Sequence, residues 1–123
     1  MNSPLSGCRV LAVEDEVVVS WMLEDMLTNL GCTVVGPVAR VEQALAMIKT
    51  AITFDVAMLD VNLNEQKSYP IADVLSARAI PFFFATGYNK DSLPEAYRNL
   101  PMLQKPYNES KLSDMLIKLL MPK

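Results

Sequence analysis

The sequence predicts an α/β domain built on one doubly wound, five-stranded parallel sheet with helices on both faces. Three observations carry that reading. Short apolar runs rich in β-branched and aromatic residues alternate along the chain with stripes of helical period. The runs are apolar almost without interruption, as strands covered on both faces must be. A helical stripe separates each run from the next, and parallel neighbours need such a crossover, which is right-handed. The 123 residues, 51% hydrophobic and 20% charged, are one domain's worth, with enough apolar mass for a real core.

The strand candidates are CRVLAV (8–13), TVVG (33–36), DVAML (55–59), IPFFFA (80–85) and PMLQ (101–104). After the first strand, Val19, Met22, Leu23, Met26, Leu27 and Leu30 fall at i, i+3, i+4, i+7, i+8 and i+11, and Gly31 supplies a stop. Met22 and Met26 read as core fill. Asp15 is placed to cap this helix, with Glu16 in the first turn where the helix dipole favours an acid. Trp21 and Val18 fall off the stripe, either to pack on a neighbouring element or to form an exposed contact patch. Val41, Ala44, Leu45, Ile48 and Ile52 make the second helical stripe. A shorter helix is expected over about 71–79 after Pro70, and a fourth over 92–98 with Pro94 in its first turn. Leu112, Met115, Leu116, Leu119 and Leu120 form the last stripe, opened by Asn108 as a cap. Five helices are thus expected to accompany five strands in a single unit, 1–123, with a core over about 8–121 and no further domain.

Composition removes several functions. No apolar run approaches the roughly 18 residues a membrane span needs, so membrane insertion is not expected. The N-terminus lacks the basic head and apolar stretch of a secretory signal, which points to a cytoplasmic protein. Cys8 and Cys32 each open an apolar run and read as buried free thiols. Lysines and arginines are scattered singly in a chain of net charge −3, so no basic stripe exists to track nucleic acid. Histidine is absent, which excludes His-based triads, HExxH zinc sites and Cys/His fingers. Chemistry must rest on carboxylates, hydroxyls and lysine.

In open parallel sheets the ligand crevice lies at the carboxyl ends of the strands, where the strand order reverses. Here the first strand ends in Glu14, Asp15 and Glu16, and the third in Asp60, Val61 and Asn62. The fourth ends in Thr86 and the fifth in Lys105 and Pro106. The flavodoxin-like order 2-1-3-4-5 sets strands one and three about 4.8 Å apart, so Asp15 and Asp60 would face each other with Lys105 in reach. Like charges about 4 Å apart repel by roughly 4 kcal/mol at an effective dielectric near 20, so the cluster needs a counter-ion. Mg²⁺, which prefers oxygen ligands, balances the charge of three carboxylates and one ammonium. Asp60 can then act as a nucleophile toward a phosphoryl group, stabilised by Lys105 and a hydrogen bond from Thr86. Gly87 would let the following loop move. Taken alone, an Asp after an apolar strand is often only a turn residue; the four strand ends together say more.

That constellation, acidic pair, Asp, Thr and Lys-Pro in order, resembles the receiver domain of two-component response regulators over essentially the whole chain. The resemblance implies that Asp60 accepts a phosphoryl group from a histidine kinase or histidine phosphotransfer protein. It implies that Glu14, Asp15, Asp60 and the backbone carbonyl of Asn62 hold Mg²⁺, and that Pro106 follows a cis bond. The absence of histidine fits, since the donor imidazole comes from the partner. The protein would be a switch rather than an enzyme, with at most weak self-phosphorylation and self-dephosphorylation. A downstream protein would read the face of helix 4 and strand 5.

Two departures stand out. The aromatic that receivers usually carry three residues before the lysine is here Met102, and the loop VNLNEQKSYP has no Gly and no Pro before Pro70, where the family commonly carries both. FATGY (84–88) resembles a subgroup of single-domain receivers in which that loop does the switching, which makes Tyr88 the first switch candidate and Tyr107 the second. A free-standing regulator, a phosphoryl sink and an excised receiver all satisfy the sequence. So, less well, do two other classes. A phosphatase of the haloacid-dehalogenase type wants an acid where Asn62 stands, and an FMN module wants a hydroxyl- and glycine-rich loop where the first strand ends in three acids.

Overall fold

The computed structural model describes residues 4–50, 53–63 and 65–121. Five strands, β1 (Arg9–Val13), β2 (Thr33–Val38), β3 (Val56–Asp60), β6 (Phe82–Thr86) and β7 (Met102–Gln104), form one sheet in the order β2-β1-β3-β6-β7, with every pair parallel. Counting only these five, the order is the expected 2-1-3-4-5. Between β3 and the next helix lies a small antiparallel hairpin, β4 (Asn62–Leu63) and β5 (Gln66–Lys67), turned through Glu65 at φ 70°. Its strands are too short to leave a period in the sequence.

Alternation within the strands divides the core. Leu11, Val13, Ala57, Leu59, Phe82 and Phe84 face α2 (Val41–Lys49) and α3 (Tyr69–Ala77), while Val10, Ala12, Val56, Met58, Phe83 and Ala85 face α1 (Val17–Asn29) and α4 (Glu109–Leu120). The three phenylalanines of β6 therefore serve two layers. Among the described residues Cys8 and Cys32 are free, buried thiols; burial first, then the neighbouring Cys32 and Asp55, pushes Cys8 up to about 12. No described helix is long and apolar enough to cross a membrane.

Several local expectations need correction. α1 buries Ser20, Leu23 and Leu27, whereas Met22 is 54% exposed. The core-facing stripe is narrower than the apolar pattern suggests, and Met22 instead lines a groove beside the β7–α4 connection. Trp21 is 62% exposed beside exposed Val17 and Val18, so it is not packed on a neighbouring element. The cap position of α1 is Glu16, not Asp15, and its side chain makes no cap bond; instead the Glu16 N–H donates to the Glu14 carboxylate at 3.2 Å. α3 starts at Tyr69, earlier than expected, because Pro70 fits the first turn, where an amide hydrogen has no helical partner. Ile52 lies outside the described residues. Asn108 does cap α4, accepting from Lys111 N–H at 2.9 Å, and Gly31 at φ +88° ends α1.

The expected helix over 92–98 is absent. Two 3₁₀ turns, Lys90–Ser92 and Glu95–Tyr97, stand in its place, interrupted by Leu93 and Pro94 with extended ψ values of 151° and 148°. A residue before proline is pushed out of the helical region, and the turns are nearly all polar, with only Leu93 buried. No continuous apolar face exists to hold a helix there.

β2 carries a bulge opposite Ala12, where the register jumps from Leu11↔Val35 to Val13↔Val38. Gly36 sits there at φ +97°, and a Cβ would lie 2.9 Å from Val38 N and 3.2 Å from the Ala12 carbonyl. Gly36→Ala is expected to lower stability by about 1–3 kcal/mol. Urea unfolding of the two proteins measures it, and an unchanged midpoint would contradict the steric argument.

Candidate functional site

The site follows from where four strands stop. Parallel pairing Asp60↔Ala85 and Val13↔Leu59 brings the ends of β1, β3 and β6 level. The Lys105 N–H donates to the Thr86 carbonyl at 2.7 Å and sets the end of β7 beside β6. Glu14, Asp15 and Asp60 each offer a carboxylate oxygen within 4.8 Å of the others. The Lys105 ammonium lies 2.9 Å from Glu14 Oε1 and 3.4 Å from Asp60 Oδ2. Thr86 is buried, and its hydroxyl oxygen accepts from the Tyr88 N–H at 3.1 Å, which leaves the hydroxyl proton to donate elsewhere. The Asn62 N–H approaches Asp60 Oδ1 at 3.4 Å. The Lys105–Pro106 peptide is cis, as is Gly36–Pro37.

Electrostatics here are those of crowded acids with one internal cation. Burial raises Asp60 to about 7, with the Glu14 carboxyl adding to the shift and Lys105 and the Asn62 N–H opposing it. Burial disfavours the Lys105 charge, but its bonds to Glu14 and Asp60 outweigh that and raise its pKa. The Tyr107 phenol is pushed up to about 12, by burial and then by Glu14 and Asp60. It packs with the α1 and α4 layer and lines a 370 Å³ groove with Val19, Met22, Leu23, Met26 and Lys105.

Of the remaining sequence candidates, Tyr88 is exposed at the rim, and its hydroxyl accepts from Asn62 Nδ2 at 2.7 Å. Gly87 is exposed with open space where a Cβ would stand, so sterics do not demand glycine there. Met102 pairs with Phe84, below the site, and packs into the α2 and α3 layer. Sequence reasoning missed Lys67, whose ammonium donates to Asn62 Oδ1 and lies 5.2 Å from the Tyr88 ring centroid. It also missed Tyr97, stacked on Tyr69 at 4.3 Å and donating to Asp73 at 2.9 Å. Neither sits in a motif or a periodic stripe, so no sequence signal pointed to them.

No family model and no curated protein matches the chain. Solved structures do. The PhyR response regulator REC domain of Erythrobacter litoralis is 25% identical over 97% of this chain and 94% of its own, at a TM-score of 0.82. The receiver domain of the sensor histidine kinase PA1611 from Pseudomonas aeruginosa PAO1, with a magnesium ion coordinated in its active site cleft, is 24% identical over 94% of this chain and 98% of its own, with a TM-score of 0.81. At that identity the likeness is one of fold. SdrG from Sphingomonas melonis Fr1 is 44% identical over 94% of this chain and 98% of its own, at a TM-score of 0.81. With that likeness added to the fold and the strand ends, the chain belongs to the response regulator receiver domains. Within them it is similar to the SdrG and PhyR type.

Proposed function

We propose that this receiver accepts a phosphoryl group on Asp60 from a phosphohistidine on a histidine kinase or histidine phosphotransfer protein, in a Mg²⁺-dependent reaction. The observation that carries the reading is the Asp60 carboxylate, buried at the end of β3 between the Lys105 ammonium and two further acids. An Asp60 oxygen attacks phosphorus, the bond to the donor nitrogen breaks, and the electron pair leaves with the imidazole of the partner. Lys105 and the Thr86 hydroxyl proton would stabilise the phosphoryl oxygens as charge moves onto them.

The donor set fits a hard divalent cation, being oxygen throughout. Glu14, Asp15, Asp60 and the Asn62 carbonyl would hold it, and when bound it neutralises charge on the phosphoryl oxygens. The raised pKa of Asp60, caused by burial first and the Glu14 carboxyl second, supports the fit, since a cation would offset the cost of a buried charge beside another acid.

The phosphodonor docks on α1, where Val17, Val18, Trp21 and Met22 present an apolar patch next to the acids. The downstream partner reads the segment from Tyr88 to Leu103 with β7, which contains 3₁₀ turns rather than a fourth helix. Tyr88 and Gly87 carry the switch, and Met102 takes no aromatic part in it. The receiver works in the cytoplasm as a phosphoacceptor rather than a turnover enzyme. Asn62 supplies an amide where a phosphatase of this chemistry needs an acid.

Incubation with acetyl phosphate and Mg²⁺ tests the reading. The intact chain gains about 80 Da on Asp60 and Asp60→Ala gains nothing; steady release of phosphate at high turnover would overturn it. Phosphotransfer profiling against candidate kinases then tests docking. Trp21→Ala is expected to slow transfer from the cognate protein donor roughly 30-fold, as a hot-spot aromatic does, and transfer from acetyl phosphate far less.

A further inference from the structure

The β4–β5 hairpin cannot hold itself. Each strand has two residues, paired as Asn62↔Lys67 and Leu63↔Gln66, and even longer isolated hairpins are marginal in water. The hairpin's base is fixed by the Ser68 N–H bond to the Val61 carbonyl at 2.9 Å and by buried Leu63, and polar side chains hold the Asn62 end. The Lys67 ammonium donates to Asn62 Oδ1, and Asn62 Nδ2 donates to the Tyr88 hydroxyl at 2.7 Å. The same ammonium lies 5.2 Å from the Tyr88 ring centroid, within cation–π range. Both ends of the Asn62 amide are therefore gripped, one from the hairpin and one from the loop after Thr86. The main chain of Asn62 touches Asp60 through its N–H, 3.4 Å from Oδ1.

We propose that Lys67 is a positioning residue for the cation site: it clamps the Asn62 side chain against Tyr88 and so holds the Asn62 carbonyl where a divalent cation binds. The inference rests on the receiver reading above. It makes a prediction opposite in sign to simple electrostatics. A fixed positive charge beside a cation site weakens cation binding, so on charge alone neutralising Lys67 tightens it. On the clamp, neutralising Lys67 loosens the carbonyl and weakens it.

Mg²⁺ titration followed by Trp21 fluorescence decides between them, because Trp21 shares a 250 Å³ pocket with Glu14 and Asp15. Lys67→Met is expected to raise the Kd for Mg²⁺ about three- to tenfold, less than the loss usual for buried outer-shell partners because Lys67 is exposed. In the cation-free protein, amide exchange across 62–67 should speed up, while the melting temperature stays near that of the wild type. Lys67→Gln, a neutral donor, recovers most of the affinity, and in an Asn62→Ala background Lys67→Met changes nothing further. Equal or tighter Mg²⁺ binding by Lys67→Met overturns the clamp and leaves the receiver reading standing. A wild-type protein that neither binds Mg²⁺ nor gains the phosphoryl mass overturns both.

Discussion

Asp60→Asn is expected to stabilise the cation-free protein at pH 8 by about 2–4 kcal/mol, an unusual sign for a change in a buried polar residue. Asp60 titrates at about 7 in the folded chain because burial and the Glu14 carboxyl disfavour its charge. In the unfolded chain an Asp titrates near 3.9. The folded state thus binds the extra proton between those values. Stability from this group is full below about pH 4, falls as pH rises, and is lost above about 7. Asparagine carries no such charge, so the advantage of the variant is largest at pH 8 and closes as pH drops toward 4. Urea unfolding of both proteins at several pH values in a chelating buffer measures the gap. Saturating Mg²⁺ should narrow it at pH 8, since a ligand at 100 times its Kd adds about 2.7 kcal/mol to the protein that binds it. A variant less stable than the wild type at pH 8 would show that the acids do not strain the fold.

Phe84→Ala should cost about 3–5 kcal/mol, a large share of the stability of a domain this size. Phe84 is fully buried and meets Phe82, Tyr69 and Tyr97 edge to face, with centroids at 5.8, 6.0 and 6.2 Å. It is also the seat for Tyr97, whose stack on Tyr69 and bond to Asp73 tie the 3₁₀ segment to α3. The variant should therefore show faster amide exchange over 95–100 as well as a lower urea midpoint. A loss under about 2 kcal/mol, or exchange confined to β6, would mean that the segment is held by something other than this aromatic cluster.

The strand ends were legible before any coordinates because their meaning is local. An apolar run that stops at Asp60, or at Thr86, identifies both the strand and what it carries to the crevice, and the parallel order then brings Glu14, Asp60 and Lys105 into contact. Met22 was misread for the opposite reason. Its spacing from Val19 and Met26 matches a helical stripe, but how far an apolar stripe is covered depends on where neighbouring elements end, and β7 with its connection to α4 leaves a groove there. The expected fourth helix failed on a point the sequence did contain, Pro94 after Leu93, with no apolar stripe strong enough to override it.

What the amino-acid order determined by itself is the layered fold, the cap at Asn108, the stop at Gly31 and the identity of the acids, hydroxyl and lysine at the strand ends. Period and turn chemistry are short-range properties, written within a few residues of where they act. Only the tertiary structure decided that Lys67 and Tyr88 meet on the two ends of one Asn62 amide, that Trp21 stands in solvent beside the acids, and that Tyr97 lies on Tyr69. Those features join loops, a 3₁₀ segment and the outer faces of α1 and α3, and they are set by how the packed layers close around them rather than by any pattern in the chain.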